Sequence, residues 1–441
     1  MSRSWDLLVV GAGAKATAVA AKIHAINRLG LGQISMLIVE AVQPAASWSG
    51  ISGMTSGDEE LAITPHKDIG FPYESHRTFG EDGARIDAVL SDFSWQRHLI
   101  DNGGYARWLN ADSPPITHSD YGRYLEWALA RATDGVEIRP GTVDQVRLET
   151  GDDGERWCLD VTGPDGNAEQ HRGHALMLTG PGGSRALAHD PEVADRIVGC
   201  DEARSAFERL PRDVPSEVAI IGGGESAIAT VVYLRRAHPE ARITIHTPEP
   251  PLSRGESFVE NRVYSDPDSI GWDRLDEEYR RRFIHHTDRG VFGPAALSKL
   301  AYDPQCAFVA GRVAAVRASG DRLRVEHEQP SDDSDREYDL VANCTGFDLW
   351  NAVRRLIAAD THAAIAARIG DGWNPTSEAE LRFGRALDVA GLTPPLHIPG
   401  LSALSQGPGF ANLGCLGLLA NRVVERFVLQ TAANGRERTV A

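Results

Sequence analysis

Asp6-Leu7-Leu8-Val9-Val10-Gly11-Ala12-Gly13-Ala14-Lys15-Ala16 is the stretch of sequence that decides the fold. Its apolar, partly β-branched run predicts a buried strand, its glycines predict a tight turn, and the alanine-rich continuation to Leu29 predicts a helix. In a dinucleotide-binding turn, Gly11 permits the sharp bend and Gly13 lets a diphosphate approach the backbone. The small Ala16 lets the helix pack closely on the strand.

A second apolar strand, Ser35–Glu40, follows this helix and ends in an acid. Glu40 lies roughly 20 to 30 residues after the turn, where dinucleotide-binding proteins place the acceptor for a ribose 2′-hydroxyl. Two glycines alone are weak support, because any tight strand-to-helix turn can contain them. Here strand, turn, helix, strand and acid occur in register, so we predict that Glu40 binds a ribose.

The range Val218–Ala227 repeats the strand and glycine turn with the same spacing. Gly222, Gly224 and Ser226 are the predicted contacts of this second turn with its nucleotide. Two dinucleotide folds in one chain predict two dinucleotides, and their usual purpose is hydride transfer from a nicotinamide to a flavin. We therefore expect FAD on the first domain and a nicotinamide nucleotide on the second.

The strand that follows the second turn ends in His246-Thr247-Pro248, without a carboxylate. An acid at this position would repel a 2′-phosphate, so its absence favours NADPH, with Arg254 as a nearby cation. The alternative interpretation of Arg254 is an ordinary surface charge.

Two further features suit flavin binding. Buried strands break into Thr-Gly at Thr179-Gly180 and at Thr345-Gly346, the positions where we expect the chain to leave and re-enter the first domain. The glycine-rich segment around Gly414 precedes an apolar helix and offers a backbone platform for a ring. We assign Trp48, Thr345, Gly346 and Gly414 to the cofactor contacts.

These features predict an α/β protein with two Rossmann-like dinucleotide-binding domains, for FAD and NADPH, and a mainly helical substrate-binding insertion. The predicted FAD domain is discontinuous and covers residues 1–205 and 340–441. Residues 206–339 form the predicted NADPH domain, with the insertion at about 255–305.

Bulk composition limits the partners. The length of 441 residues predicts two or three domains. A formal net charge of −17, from 45 basic and 62 acidic residues, disfavours nucleic acid and anionic membranes. The five cysteines form no C-x-x-C pair and have no histidine at metal-ligand spacing, so we expect reduced thiols and no metal. With the first strand near the N-terminus and no apolar run of about 18 residues, we expect a cytoplasmic protein.

The long segment 41–117 has little periodicity, and loops of that length usually line a site. It contains His66-Lys67-Asp68-Ile69, where residue chemistry alone favours a solvated turn for Lys67 and Asp68. This motif, the helix Ser119–Trp127, the segment Ser257–Pro267 and Thr345-Gly346-Phe347 together resemble the flavin-dependent N-hydroxylating monooxygenases of siderophore biosynthesis. These are the ornithine and lysine N-monooxygenases, and the resemblance covers nearly the whole chain.

The resemblance implies that a flavin C4a-hydroperoxide, formed with NADPH and O2, hydroxylates a primary amine. The flavin carries this chemistry, and no side chain is assigned as catalytic. The resemblance also implies that Lys67 contacts a substrate carboxylate and Asn261 the α-amino end. Asp288 stands where the family has the first residue of an Asn-Tyr-Ser substrate segment, and its charge could favour a second cation on the substrate.

The sequence departs from the family's pattern at two positions near the expected substrate site. Ala62 replaces the usual glutamine beside the flavin, and Asn261 lies one position from the family's asparagine, so Glu260 is an alternative site residue. An ornithine- or lysine-like amino acid is the first expectation. A diamine or another amino acid is the alternative, and so is a sulfide or ketone oxidised by a general flavin monooxygenase.

Three other protein classes fit the sequence less well. A Baeyer–Villiger enzyme is disfavoured because the Phe-x-Gly-x-x-x-His fingerprint is missing, and a dithiol reductase because it needs a redox cysteine pair. A non-catalytic NADPH-sensing scaffold leaves the long loop and the insertion unexplained. The expected partners are therefore a small amine and O2, with a homo-oligomer, dimer or tetramer, as a possibility.

Overall fold

The structure is a computed structural model that describes residues 3–53, 55–151, 154–180, 182–251, 254, 258–329, 336–370, 373, 380 and 382–439, with side chains except at 258–260, 294, 295 and 429–439. The strands up to residue 184 are β1 (Ser4–Trp5), β2 (Leu7–Val10), β3 (Met36–Glu40), β4 (Val136–Pro140), β5 (Thr142–Gly151), β6 (Gly154–Thr162), β7 (Ala168–Gly173), β8 (Leu176–Leu178) and β9 (Gly183–Ser184). The helices of this part are α1 (Ala14–Arg28), α2 (His76–Phe79), α3 (Gly83–Leu90), α4 (Trp95–Asp101), α5 (Tyr105–Asn110) and α6 (His118–Arg131).

The later strands are β10 (Ile197–Gly199), β11 (Glu217–Ile221), β12 (Arg242–Thr247), β13 (Cys306–Ala310), β14 (Val313–Ser319), β15 (Arg322–His327), β16 (Glu337–Tyr338), β17 (Leu340–Asn343), β18 (Phe347–Asp348) and β19 (Leu396–His397). The later helices are α7 (Ala203–Phe207), α8 (Glu225–Ala237), α9 (Phe258–Ser265), α10 (Glu277–Thr287), α11 (Pro294–Ala301), α12 (Asn351–Leu356), α13 (Ala359–Ile369), α14 (Ala403–Gln406) and α15 (Leu416–Thr439).

The first glycine turn belongs to a parallel sheet with the strand order β19-β8-β2-β3-β4. Helix α1 leaves this turn and is buried along almost its whole length, because most of its residues are alanine or aliphatic. Small side chains let α15 and α6 pack against α1. The C-terminal helix thus packs on the helix that leaves the first glycine turn.

The second glycine turn lies between β11 and α8, in another parallel sheet ordered β10-β17-β11-β12-β13. Strands β10 and β17 pair with each other, and β17 also pairs with β11. The sheet of the second turn therefore includes residues 197–199 and 340–343, which lie just outside the predicted range 206–339. Three- and four-residue strands carry too little periodicity to be assigned from sequence, which explains the difference.

Smaller sheets complete the two halves of the molecule. Strands β5, β6 and β7 form an antiparallel meander, and β1 pairs in parallel with β7. Strands β14, β15 and β16 form a second meander, and β9 pairs with β18 where the chain crosses between the halves. Helices α9, α10 and α11 lie between β12 and β13, as the predicted helical insertion requires. In the part of the chain that the structure describes, no helix is both long and apolar enough to cross a membrane.

Gly11 cannot be replaced without strain. Its φ is +95°, which L side chains rarely adopt, and an added Cβ would lie 2.5 Å from the Thr179 hydroxyl oxygen. That hydroxyl also donates to the Val10 carbonyl at 2.8 Å, so it is held in place. The turn thus depends on a glycine at this position.

We expect Gly11→Ala to retain less than about a tenth of the parent protein's FAD, because the turn must shift from its diphosphate-binding shape. Flavin absorbance of the gel-filtered protein measures this. Gly30→Ala is the control: Gly30 has φ +69° but nothing within 4 Å of an added Cβ. It should keep its FAD and lose about 1 kcal/mol of stability. Full FAD occupancy in Gly11→Ala would contradict the assignment.

Candidate active site

The first turn has the features of a diphosphate site. A Cβ built at Gly13 meets nothing within 4 Å, and Gly13, as the N-cap residue of α1, has no side chain to accept from the first N–H groups of the helix. The free N–H groups there suit an anion. Glu40 lies beside the turn, where its carboxylate accepts from the backbone N–H of Ala12 at 2.7 Å and of Val42 at 2.9 Å. Ala16 is fully buried against the sheet.

The second turn repeats this geometry without the acid. Gly222 has φ +138°, and its N–H donates to His246 O at 2.9 Å, just as Gly11 N–H donates to Val39 O at 2.9 Å. The paired registers, Val10 with Val39 and Ile221 with His246, therefore make Thr247 the counterpart of Glu40. The hydroxyl of Thr247 donates to Glu249 O at 2.6 Å.

The other predicted cofactor residues take different positions around these turns. Gly224 caps α8, and Ser226 lies in its first turn, where its carbonyl accepts from Thr230. Trp48 is half-buried, with its ring 5.1 Å from those of His118 and Tyr121.

The predicted crossing point and the C-terminal loop are also held by local hydrogen bonds. Thr345 Oγ1 donates to Asn343 Oδ1 at 2.7 Å, and Gly346 O accepts from Arg185 N–H at 3.0 Å. In the C-terminal loop, Gly414 N–H donates to Asn412 Oδ1 at 2.8 Å.

Lys67 and Asn261 are brought together from distant parts of the chain. Lys67 Nζ donates to Asn261 Oδ1 at 3.0 Å, which joins the long loop to α9 in a solvent-accessible position. The side chain of Glu260, the alternative site residue, lies outside the described residues. The structure thus joins two of the three predicted substrate residues directly.

The expectation of a solvated turn is wrong for Asp68. Its side chain is buried, and it accepts from Gly70 N–H at 3.1 Å, Tyr73 Oη at 2.9 Å and Trp95 N–H at 3.0 Å. Burial raises the pKa of this carboxyl, and the hydrogen bonds oppose that effect. Because three donors replace water, Asp68 fixes the turn that presents Lys67.

Asp288 is linked to the same region through α9. Tyr264 lies one turn after Asn261, and its hydroxyl is 2.8 Å from Thr287 Oγ1, next to Asp288. Gly414 packs on Tyr264, with 3.2 Å between an added Cβ and the Tyr264 Cβ. Tyr264 was not found from the sequence, and its three-residue spacing from Asn261 on a helix is the signal that could have found it.

Charged groups converge around Asp288. Its carboxylate accepts from Asn412 Nδ2 at 3.0 Å, and burial raises its pKa despite that bond and the nearby Arg289, Arg254 and Lys15. Burial likewise raises the pKa of Glu225, at the start of α8, although Arg254 opposes it. Arg289, Arg254 and Lys15 therefore act electrostatically on Asp288, and its contact with a substrate cation stays a prediction.

Arg254 lies in this cluster. Its Nη2 donates to Ala62 O at 3.1 Å, and its backbone N–H donates to Phe292 O at 2.8 Å. These contacts place Arg254 against the long loop of the first domain. A contact of Arg254 with the 2′-phosphate of NADPH stays a prediction.

The chain is similar to known proteins over almost its whole length. The family model for L-lysine 6-monooxygenase/L-ornithine 5-monooxygenase matches residues 3–349. The L-lysine N6-monooxygenase MbtG of Mycolicibacterium paratuberculosis is 35% identical over 428 residues, covering 95% of this chain and 94% of the relative. MbtG of Mycobacterium tuberculosis is 34% identical over 426 residues, with the same coverage of each chain.

Solved structures agree with this match. The lysine monooxygenase NbtG of Nocardia farcinica superposes with a TM-score of 0.80 at 33% identity, over 95% of this chain and 98% of NbtG. The ornithine N-hydroxylase of Kutzneria sp. 744, solved with reduced FAD, NADP+ and L-ornithine, has a TM-score of 0.74 over 97% and 100% of the two chains. Because the Kutzneria enzyme is only 16% identical to this chain, that similarity shows a shared fold and no more.

The position of Thr247 predicts the effect of adding an acid there. Thr247→Asp should raise the Kd for NADPH at least about tenfold and leave that for NADH nearly unchanged, because a carboxylate would repel the 2′-phosphate. Stopped-flow flavin reduction with each nucleotide measures both. Thr247→Val is the matched control, since it also loses the hydrogen bond to Glu249 but adds no charge. Equal weakening of both nucleotides by Thr247→Asp would refute the assignment.

Proposed function

Because this chain belongs to the L-lysine 6-monooxygenase/L-ornithine 5-monooxygenase family, we propose that it hydroxylates the side-chain amine of free L-lysine. It is an NADPH-dependent flavoprotein N-monooxygenase. Lysine is preferred to ornithine because relatives named for lysine are 33–35% identical over almost the whole chain, whereas the ornithine enzymes share 16–17% and support only the fold.

The hydrogen bond between Lys67 and Asn261 is the observation that carries this proposal. The Lys67 ammonium pairs with the α-carboxylate of the substrate, and the Asn261 carbonyl oxygen accepts from the α-ammonium. An amino acid held by both groups would have its two ends fixed, and its side-chain amine would be confined to one region of the site. Fixing the reacting nitrogen in this way replaces a random encounter with an oriented one, which can accelerate a reaction by several orders of magnitude.

The bound FAD, reduced by NADPH, supplies an activated oxygen atom from O2 to the amine nitrogen. The turns at Gly11 and Gly222 would hold FAD and NADPH, with Glu40 on a ribose of FAD. The amine must be neutral to react, although its usual pKa of about 10.4 favours the cation. Burial lowers the pKa of Lys15 in the same region to about 8, and a similarly buried substrate amine would lose its proton more easily.

The product, a hydroxylamine, is the precursor of an iron-binding hydroxamate, and we propose a role in siderophore or related natural-product synthesis. Cytoplasmic location and a homo-oligomeric state, dimer or tetramer, remain predictions. A diamine such as cadaverine is the second candidate substrate. It shares the reacting amine with lysine but lacks the carboxylate.

Lys67→Met separates these two substrates. The KM for L-lysine should rise about 10- to 100-fold, because a charge-assisted hydrogen bond is lost, while the KM for cadaverine changes less than about twofold. Initial rates of hydroxylamine formation measure both. Lys299→Met, at an exposed position on α11, is the control and should match the parent protein. An equal change for both substrates would contradict a carboxylate contact at Lys67.

A further inference from the structure

Lysine is rare in this chain, and its positions are informative. Of the 45 basic residues only four are lysine: Lys15, Lys22, Lys67 and Lys299. Lys299 is exposed, and Lys67 belongs to the proposed substrate site. Lys15 and Lys22 both lie on α1, which leaves the first glycine turn. Since arginine is the ordinary cation elsewhere, the lysine at position 15 calls for a specific reason.

Lys15 occupies an unfavourable place for a cation. It lies in the first turn of α1, where the partial positive charge of the helix N-terminus repels an ammonium, and that turn contains no acidic residue. Burial lowers its pKa to about 8, although Asp288 and Cys415 oppose this effect. The protein alone therefore gains little from a charge at this site.

The protein satisfies only part of the ammonium's bonding capacity. Lys15 Nζ donates to Ala411 O at 2.8 Å, which is its one hydrogen-bond acceptor among the described residues. Ala411 contributes no charge, and Asp288 is shared with Asn412, Arg254 and Arg289. An ammonium has three N–H donors, so two of them are available to a ligand.

The glycine turn before α1 is suited to binding a diphosphate. The diphosphate of FAD approaches the N-terminus of α1, and the space in front of Gly13 is open. We propose that Lys15 binds an oxygen of the FAD diphosphate, with its ammonium positioned by the hydrogen bond to the Ala411 carbonyl. A compact ammonium on a flexible stem suits this narrow position better than the planar fork of arginine.

This arrangement also connects the two domains. Asp288 precedes Gly290, whose backbone N lies 3.6 Å from a Cβ built at Gly224 of the second turn. Asn412, which binds Asp288, lies in the loop that accepts the Lys15 hydrogen bond. The Lys15 ammonium is thus the point at which the loop before α15 and the insertion meet the FAD turn.

Lys15→Met tests the proposal by FAD affinity. Equilibrium dialysis of the purified flavoprotein should give a Kd for FAD about 10- to 100-fold above that of the parent, with a weaker dependence on salt. Lys22→Met is the matched control. It removes the other lysine of the same helix, which is fully buried about 10 Å further along and whose Nζ donates to Ser75 Oγ at 2.6 Å. Its Kd should stay within about twofold of the parent value.

Two measurements separate ligand binding from a purely structural role. Thermal unfolding is measured at increasing concentrations of free FAD. The FAD-dependent rise in Tm should be smaller in Lys15→Met than in the parent protein, while the two proteins should have the same Tm at the lowest FAD concentration. The flavin midpoint potential should match that of the parent. An unchanged Kd, equal weakening by Lys22→Met, or a shifted potential with normal affinity would each overturn the diphosphate assignment. None of these results bears on which amine is oxidised.

Discussion

The fold depends on close packing at two glycine turns. A side chain at Gly11 would meet Thr179, and one at Gly222 would meet the carbonyl of Cys344. Thr179 follows β8 and Cys344 follows β17, the two strands at which the chain breaks before crossing between the halves. Each dinucleotide turn is therefore packed against the end of the neighbouring strand. The pairing of β9 with β18 then ties the two crossing segments together.

A second constraint is that carboxylates buried where the two halves meet need polar or cationic neighbours. Asp288 and Glu225 both have raised pKa values because burial disfavours the carboxylate, and Arg254 opposes the rise at both. Burial of charge is costly unless partners are close, so such groups collect where a function needs them. In this protein one of them, Asp288, accepts a hydrogen bond from Asn412 in the loop before α15.

Much of the fold could be predicted because the sequence patterns of the two dinucleotide-binding turns are local. The strand, glycine turn and helix around Gly11 and Gly222 are contiguous in sequence, and the register shows that Thr247 replaces the acid. The contact of Lys67 with Asn261 spans 194 positions, and only the family resemblance brought them together beforehand. Asp68 was misjudged because its burial depends on Tyr73 and Trp95, which the sequence does not place beside it.

In the proposed function, FAD and NADPH oxidise the side-chain amine of L-lysine while Lys67 and Asn261 hold the other end of the substrate. The most direct test is the fate of NADPH electrons in the unaltered protein, with hydroxylamine identified by mass spectrometry and hydrogen peroxide measured in parallel. Most of the NADPH oxidised with L-lysine should appear as N6-hydroxylysine. N-hydroxylation would be contradicted if NADPH oxidation with L-lysine, ornithine or cadaverine gave only hydrogen peroxide, while a sulfide or ketone was oxygenated efficiently.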